Sequence, residues 1–209
     1  MECLDKWVYE HGNYVPNDYI PPNDGGNGIN HLKEASMQGI QQVRSEIEEF
    51  IEVILEHDLN ENVLEIGIGL YGGTHILWRQ IFEHVTSIEL RRLLVIRFKL
   101  FERLDERSII IVGNSHNQII YNKVKGIYDL LFIDGDHSYE GVKQDWVMYS
   151  PLVRKGGIVA FHDSACSING FGIARFLNEL GHGKIDGIRH NIQFIHHSKN
   201  IGIGFEIIG

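Results

Sequence analysis

The chain has 209 residues, with 19 Lys and Arg against 28 Asp and Glu and a formal net charge of -9. That length suits one domain with a substantial core, and the acidic balance argues against a broad nucleic-acid surface, which needs clustered Lys and Arg. Cys3 and Cys166 are the only cysteines; they make no disulfide framework, and we expect a reducing, cytoplasmic setting. No run approaches a membrane span, and MECLDKWVYEHG lacks the apolar core of a signal peptide.

Residues 1–30 hold three of the four prolines and the run NDGGNG, which is turn and loop chemistry. Their scattered aromatics (Trp7, Tyr9, Tyr14, Tyr19) fit either a lid over an acceptor pocket or a surface arm, and leave a homo-oligomer open. From 31 to about 58 the apolar residues Ile40, Val43, Ile47, Phe50, Ile51 and Ile54 fall at helical spacing. Glu46, Glu48, Glu49 and Glu52 form the opposite face, expected to be solvated. Residues 1–58 thus read as an arm and helix, and 59–209 as the core.

An alternation then sets in. NVLEIGIG reads as a strand, THILWRQIFEH as a helix with Thr74 near its N-cap, VTSIEL as a strand and RRLLVIRFKLFERL as a helix. SIIIVGN is a strand, 117–124 a short helix and YDLLFIDG a strand. YEGVKQDWVMYSPLV is a helix with Tyr139, Val142, Trp146 and Tyr149 on one face. GGIVAFHD is a strand and FGIARFLNELG a helix closed by Gly181. Such alternation predicts βαβ units and a parallel sheet covered on both faces. IQFIHH and IGIGFEII are joined by the short turn SKN, too short for a crossover, so they pair as an antiparallel hairpin. The expected fold is α/β, Rossmann-like and doubly wound, with seven mostly parallel strands and an antiparallel C-terminal strand.

In open α/β sheets ligands bind beyond the carboxyl ends of the strands. After the first core strand, Gly67, Gly69 and Gly72 satisfy G-x-G-x-x-G, and Glu89 follows 20 residues beyond Gly69 at the next strand end. A carboxylate there suits both hydroxyls of an adenosine ribose, and Asn114 and Ser115 after the third strand suit the edge of an adenine. Glu65, two positions before Gly67, would discourage a phosphate and suits the cationic amino-acid tail of a ligand.

VLEIGIGLYGG resembles the first motif of the class I S-adenosylmethionine-dependent methyltransferases, and IEL with Glu89 resembles their ribose-binding second motif. The antiparallel hairpin is also their fold signature. LLFIDGDHSYEGVKQDWVMYSPLVRKGGIVAFHD looks like a bacterial small-molecule subgroup that includes sugar O-methyltransferases and cephalosporin-hydroxylase-associated proteins. The resemblance covers residues 38–209. It implies S-adenosylmethionine as cofactor and a small-molecule acceptor, with a sugar or polyol hydroxyl as first guess and no nucleic-acid or membrane partner.

Methyl transfer to a hydroxyl needs a base or a cation to handle the proton. FIDGDHSYEG places Asp134, Asp136 and His137 at one strand end. Asp134 is a metal candidate with Asp163 on the neighbouring strand, about 4.8 Å away in a parallel sheet; oxygen ligands favour Mg²⁺ or another divalent cation. The resemblance implies Asp134 and the pair His162–Asp163 as metal ligands and His137 as general base. His162 departs from it, because the related enzymes tend to carry a carboxylate there. Asp136 is expected to cap the following helix, and Cys166 to be structural. His75, His116, His196 and His197 fall at helix starts or in the hairpin, where they could line the pocket or lie there by chance. A hydride-transferring NAD enzyme and a non-catalytic cofactor-binding accessory protein are the competing readings.

Overall fold

The computed structural model describes residues 30–31, 39–40, 42–69, 72–101, 106–168, 170–198 and 201–209. The arm read as lid or surface segment (1–29), Leu70–Tyr71 within the glycine loop, and Lys199–Asn200 at the hairpin turn lie outside them.

Two short strands, β1 (Asn30–His31) and β2 (Gly39–Ile40), pair antiparallel. The expected helix is therefore shorter: α1 spans Arg44–Glu56, with Val43 extended at its N-cap and Ile40 in a strand. Five parallel strands follow: β3 (Asn62–Ile66), β4 (His84–Glu89), β5 (Ser108–Val112), β6 (Tyr128–Ile133) and β7 (Val153–His162). Between them lie α2 (Gly73–Ile81), α3 (Arg92–Phe101), α4 (Gln118–Tyr121) and α5 (Tyr139–Tyr149). After β7 come α6 (Ile173–Gly181) and the hairpin β8 (Gln193–Ile195) and β9 (Ile203–Ile207).

The seven strands run in the order β5-β4-β3-β6-β7-β9-β8. β9 pairs antiparallel with β7 on one side and with β8 on the other, as the missing crossover required. The chain winds outward from β3 to β5 and restarts at β6 on the other side of β3. The β3/β6 boundary is thus the switch point where such sheets open a crevice.

Alternate strand residues feed two cores. Val63, Leu130, Phe132, Ile158 and Ala160 face α1 and α2, where Phe50 and Trp78 are fully buried. Leu64, Ile66, Leu131, Ile133, Val159 and Phe161 face α5 and α6. Both faces are apolar, as a helix-covered parallel sheet requires. Val142, Trp146 and Tyr149 are buried on one face of α5, with Tyr139 packed beside them.

Local boundaries differ from the sequence reading for specific reasons. Gly72, in the left-handed region at φ 69°, caps α2, and Thr74 is buried in its first turn. Ser138 caps α5 by accepting from the Gly141 N–H, while Asp136 accepts from the Ser138 N–H one step earlier. Pro151 lies in a 3₁₀ turn, so α5 stops at Tyr149 and β7 starts at Val153, earlier than its glycines suggested. Gly181 is still helical; Gly183, at φ 69°, supplies the left-handed stop.

Candidate active site

The carboxyl ends of β3, β4, β5, β6 and β7 open onto one cavity of about 640 Å³, a size ordinary for small-molecule sites. Gly67 makes the close approach there. Its φ is 94°, and a Cβ on it would lie 2.1 Å from the Asp134 carbonyl oxygen. The Gly67 N–H donates to Ile88 O and the Asp134 N–H to Ile66 O, so the three central strand ends are laced together beneath the cavity.

Gly67, Gly69, Glu89, Asn114, Ser115 and Asp134 all line this cavity, and Gly72 and Glu65 do not. Glu89 is only 3% exposed. Its Oε2 accepts from the Ile68 N–H at 3.1 Å and its Oε1 from the Arg91 N–H at 2.8 Å. Each oxygen keeps a lone pair for a ligand hydroxyl. Asn114 Oδ1 accepts from the His116 N–H.

Glu65 was expected beside a ligand's cationic tail. It lies instead in the layer under the loop, fully buried, because its strand parity points it toward α2. Ser87 Oγ donates to its Oε2 at 2.6 Å, Ser87 meets His75 Nδ1 at 2.7 Å, and His75 Nε2 meets Ser108 Oγ at 3.1 Å. Burial raises the Glu65 pKa, with His75 and Ser87 opposing it. Of the four uncommitted histidines, His75 is thus in this buried chain and His116 lines the cavity.

On the other side of the cavity Asp134, His137, His162 and Asp163 converge. His137 Nε2 is 3.2 Å from Asp134 Oδ1 and 3.4 Å from Asp163 Oδ2. His162 Nδ1 is 3.3 Å from Asp134 Oδ1 and 3.5 Å from Asp163 Oδ1. Asp163 takes a left-handed φ of 56°, uncommon for a non-glycine residue and found where a side chain must be aimed. Burial alone would raise the Asp134 pKa, but the imidazoles of His162 and His137 overcome it and hold it below the usual carboxylate range. Burial opposes charge on His137, yet the hydrogen bond and charge of Asp134, with Asp163, raise its pKa. His162 is raised further, against burial, by the same two carboxylates.

Asp134, His162 and Asp163 each offer a ligand atom, all within 4.8 Å of one another; among the described residues this is a group that could hold a metal ion. Phe171 stacks on His137, and with Cys166, Ile168 and Ile201 it brings apolar surface to the same side of the cavity. Those residues come from loops after β7.

Cavity, switch point and antiparallel C-terminal strand define a methyltransferase-type α/β domain. The chain belongs to the family described as "Methyltransferase domain", whose model matches residues 58–164. A putative caffeoyl-CoA O-methyltransferase from Staphylococcus aureus superimposes with a TM-score of 0.61 at 21% identity, over 79% of this chain and 84% of that one. MycE, a methyltransferase of the mycinamycin biosynthetic pathway solved with Mg, SAH and mycinamycin VI, gives a TM-score of 0.55 at 20% identity, over 77% of this chain and 48% of that one. The Sinorhizobium fredii protein y4gI is 38% identical over 66 residues, which are 32% of this chain and 7% of that protein's length. No helix among the described residues is long and apolar enough to cross a membrane.

Proposed function

We propose that the protein is an S-adenosylmethionine-dependent O-methyltransferase acting on a small hydroxylated acceptor, with a sugar or another polyol as first choice. The carrying observation is the pairing, in one cavity, of Glu89 and the glycine loop on one side with the Asp134–His137–His162–Asp163 cluster on the other. Family membership sets the NAD-dependent reading aside. The cytoplasmic setting expected from cysteine usage belongs to the same proposal, as does a lid role for the arm that precedes α1.

The residues present fit a methyl donor. Glu89 retains acceptor capacity for the ribose hydroxyls, Asn114 and Ser115 stand at the next strand end for the adenine, and Gly67 and Gly69 leave the loop backbone open to the ligand. Glu65 acts from beneath that loop rather than by contact. Bound S-adenosylmethionine would supply an electrophilic methyl group, and a divalent ion, Mg²⁺ or another, held by Asp134, His162 and Asp163 would supply positive charge beside the acceptor oxygen.

His137 keeps the Nε2 proton against Asp134 and Asp163, which leaves Nδ1 as the nitrogen that takes the acceptor's hydroxyl proton. The two carboxylates stabilise the imidazolium that results. Phe171 holds the ring plane, so the base keeps one orientation toward the acceptor.

The test is transfer of a labelled methyl group from S-adenosylmethionine to a panel of glycosides, polyols and catechols. At least one hydroxylated acceptor takes label, and His137→Ala lowers turnover by about 10²–10⁴-fold while donor affinity stays within a few fold. Donor binding with no labelled product from any acceptor would favour the accessory-protein reading instead.

A further inference from the structure

We infer that the Asp134–His162–Asp163 cluster selects a first-row transition ion with affinity for imidazole (Fe²⁺, Co²⁺, Ni²⁺ or Zn²⁺) over Mg²⁺. The inference deepens the proposed function and rests on it for the presence of an ion in this cavity.

The argument starts with His162. Its side chain is 5% exposed, and neither ring nitrogen closes a hydrogen bond of normal geometry. Two other histidines behave differently. His75 engages Ser87 and Ser108 through its two nitrogens, and His190 engages Glu206 and Asp186. A buried imidazole left without such partners is costly. It points to a ligand that the two neighbouring carboxylates also face.

Donor chemistry then selects the ion. Mg²⁺ asks for near-octahedral oxygen ligation and binds nitrogen poorly, whereas a set of two carboxylates and one imidazole suits the later first-row ions. All three donors lie within 4.8 Å of one another, at the ends of two adjacent strands. Asp163 reaches its place through a left-handed backbone, a conformation uncommon for a non-glycine residue. With three protein ligands, the cavity side of the ion stays open for water or an acceptor oxygen. The opposing account is an ion-free imidazolium held between Asp134 and Asp163 at 3.3 and 3.5 Å.

The test is calorimetric titration of the full chain, stripped with a chelator, with MgCl₂, CoCl₂ and ZnCl₂ in turn, with visible spectra recorded for Co²⁺. One Co²⁺ or Zn²⁺ per chain binds at least about tenfold tighter than Mg²⁺, and bound Co²⁺ shows the spectrum of a site with nitrogen ligation. His162→Asp narrows the Co²⁺:Mg²⁺ affinity ratio by about tenfold or more, and Asp134→Asn weakens every ion. Equal or tighter Mg²⁺ binding, an unchanged ratio in His162→Asp, or no ion bound at millimolar concentration overturns the inference. Should His162→Asp fail to fold, the wild-type ratio and the Co²⁺ spectrum decide alone. S-adenosylmethionine titrated in the same cell separates the two claims: donor binding without ion selectivity sinks this inference only, and ion selectivity without donor binding sinks the proposed function.

Discussion

His137 lies flat on Phe171, with ring centroids 4.7 Å apart and planes inclined by 12°. Phe171 sits just before Gly172, whose N–H donates to the His137 carbonyl at 2.7 Å. Backbone and ring therefore fix the same histidine. Phe171→Ala is expected to lower turnover by about ten- to a hundredfold, since small misplacements of a reacting group carry losses of that order. Donor affinity should hardly change, and Phe171→Tyr should restore most of the rate. A loss of donor affinity equal to the loss of turnover would assign Phe171 to the cofactor pocket instead.

Gly67 makes a tight backbone approach at the cavity. Its φ of 94° disfavours any side chain, and a Cβ would meet the Asp134 carbonyl oxygen at 2.1 Å. Gly67→Ala should destabilise the domain by about 3 kcal/mol or more, combining strain with displaced packing. Urea denaturation checks this: a midpoint unchanged from wild type would mean that the β3 and β6 ends part without penalty.

Glu46 is 1% exposed, against the expectation of a solvated helix face. Its Oε1 accepts from the His197 and Ser198 N–H groups at 2.8 Å each, and its Oε2 accepts from the Gly202 N–H at 3.0 Å. One carboxylate on α1 thus ties down the turn of the β8–β9 hairpin. Glu46→Ala strands three backbone donors and should cost about 3 kcal/mol or more, whereas Glu56→Ala, at an exposed position of the same helix, should cost much less. Equal losses would remove Glu46's special place.

His190 joins Asp186 to Glu206, at 3.0 and 2.6 Å, with the Trp146 ring edge-on beside it. Burial disfavours its charge, but hydrogen bonds to Asp186 and Glu206 prevail and raise its pKa above the ordinary 6.5. Such a group stabilises fully below the unfolded value, and its contribution fades as pH rises through the higher folded value. Asp186 is lowered, first by the Ile188 N–H and then by His190, so its share disappears in acid as pH falls through the folded value, below 3.8. The stability difference between wild type and His190→Gln should therefore be largest between the lower carboxylate range and about pH 6.5 and shrink above it. A difference that stays constant across that window contradicts the linkage.

Much of the architecture is legible in the sequence. A continuous apolar run such as Leu130–Ile133 marks a strand covered on both faces, and a connection too short for a crossover helix forces the last two strands antiparallel. The cavity-lining residues Glu89, Asn114, Asp134, His137, His162 and Asp163 follow from their places at strand ends. What escaped depends on partners distant in the chain. Glu46 looks solvated until the hairpin, more than 150 residues later, supplies its donors. Glu65 reads as ligand-facing, and the fold buries it beneath the loop with Ser87 donating to one of its oxygens. Caps fall two positions from the expected ones: Asp136 and Gly181 share their local chemistry with Ser138 and Gly183, whereas α2 is entered through the left-handed Gly72 rather than a side-chain cap at Thr74.

The central claim is that the strand-end cavity binds a methyl donor. Calorimetric titration of the purified chain with S-adenosylmethionine, with NAD as control, tests it most directly. Micromolar binding of the methyl donor, weakened about tenfold or more in Glu89→Ala as two ribose hydrogen bonds are lost, with no heat from NAD, is the predicted result. Binding of NAD in its place, or donor binding indifferent to Glu89, would contradict the account.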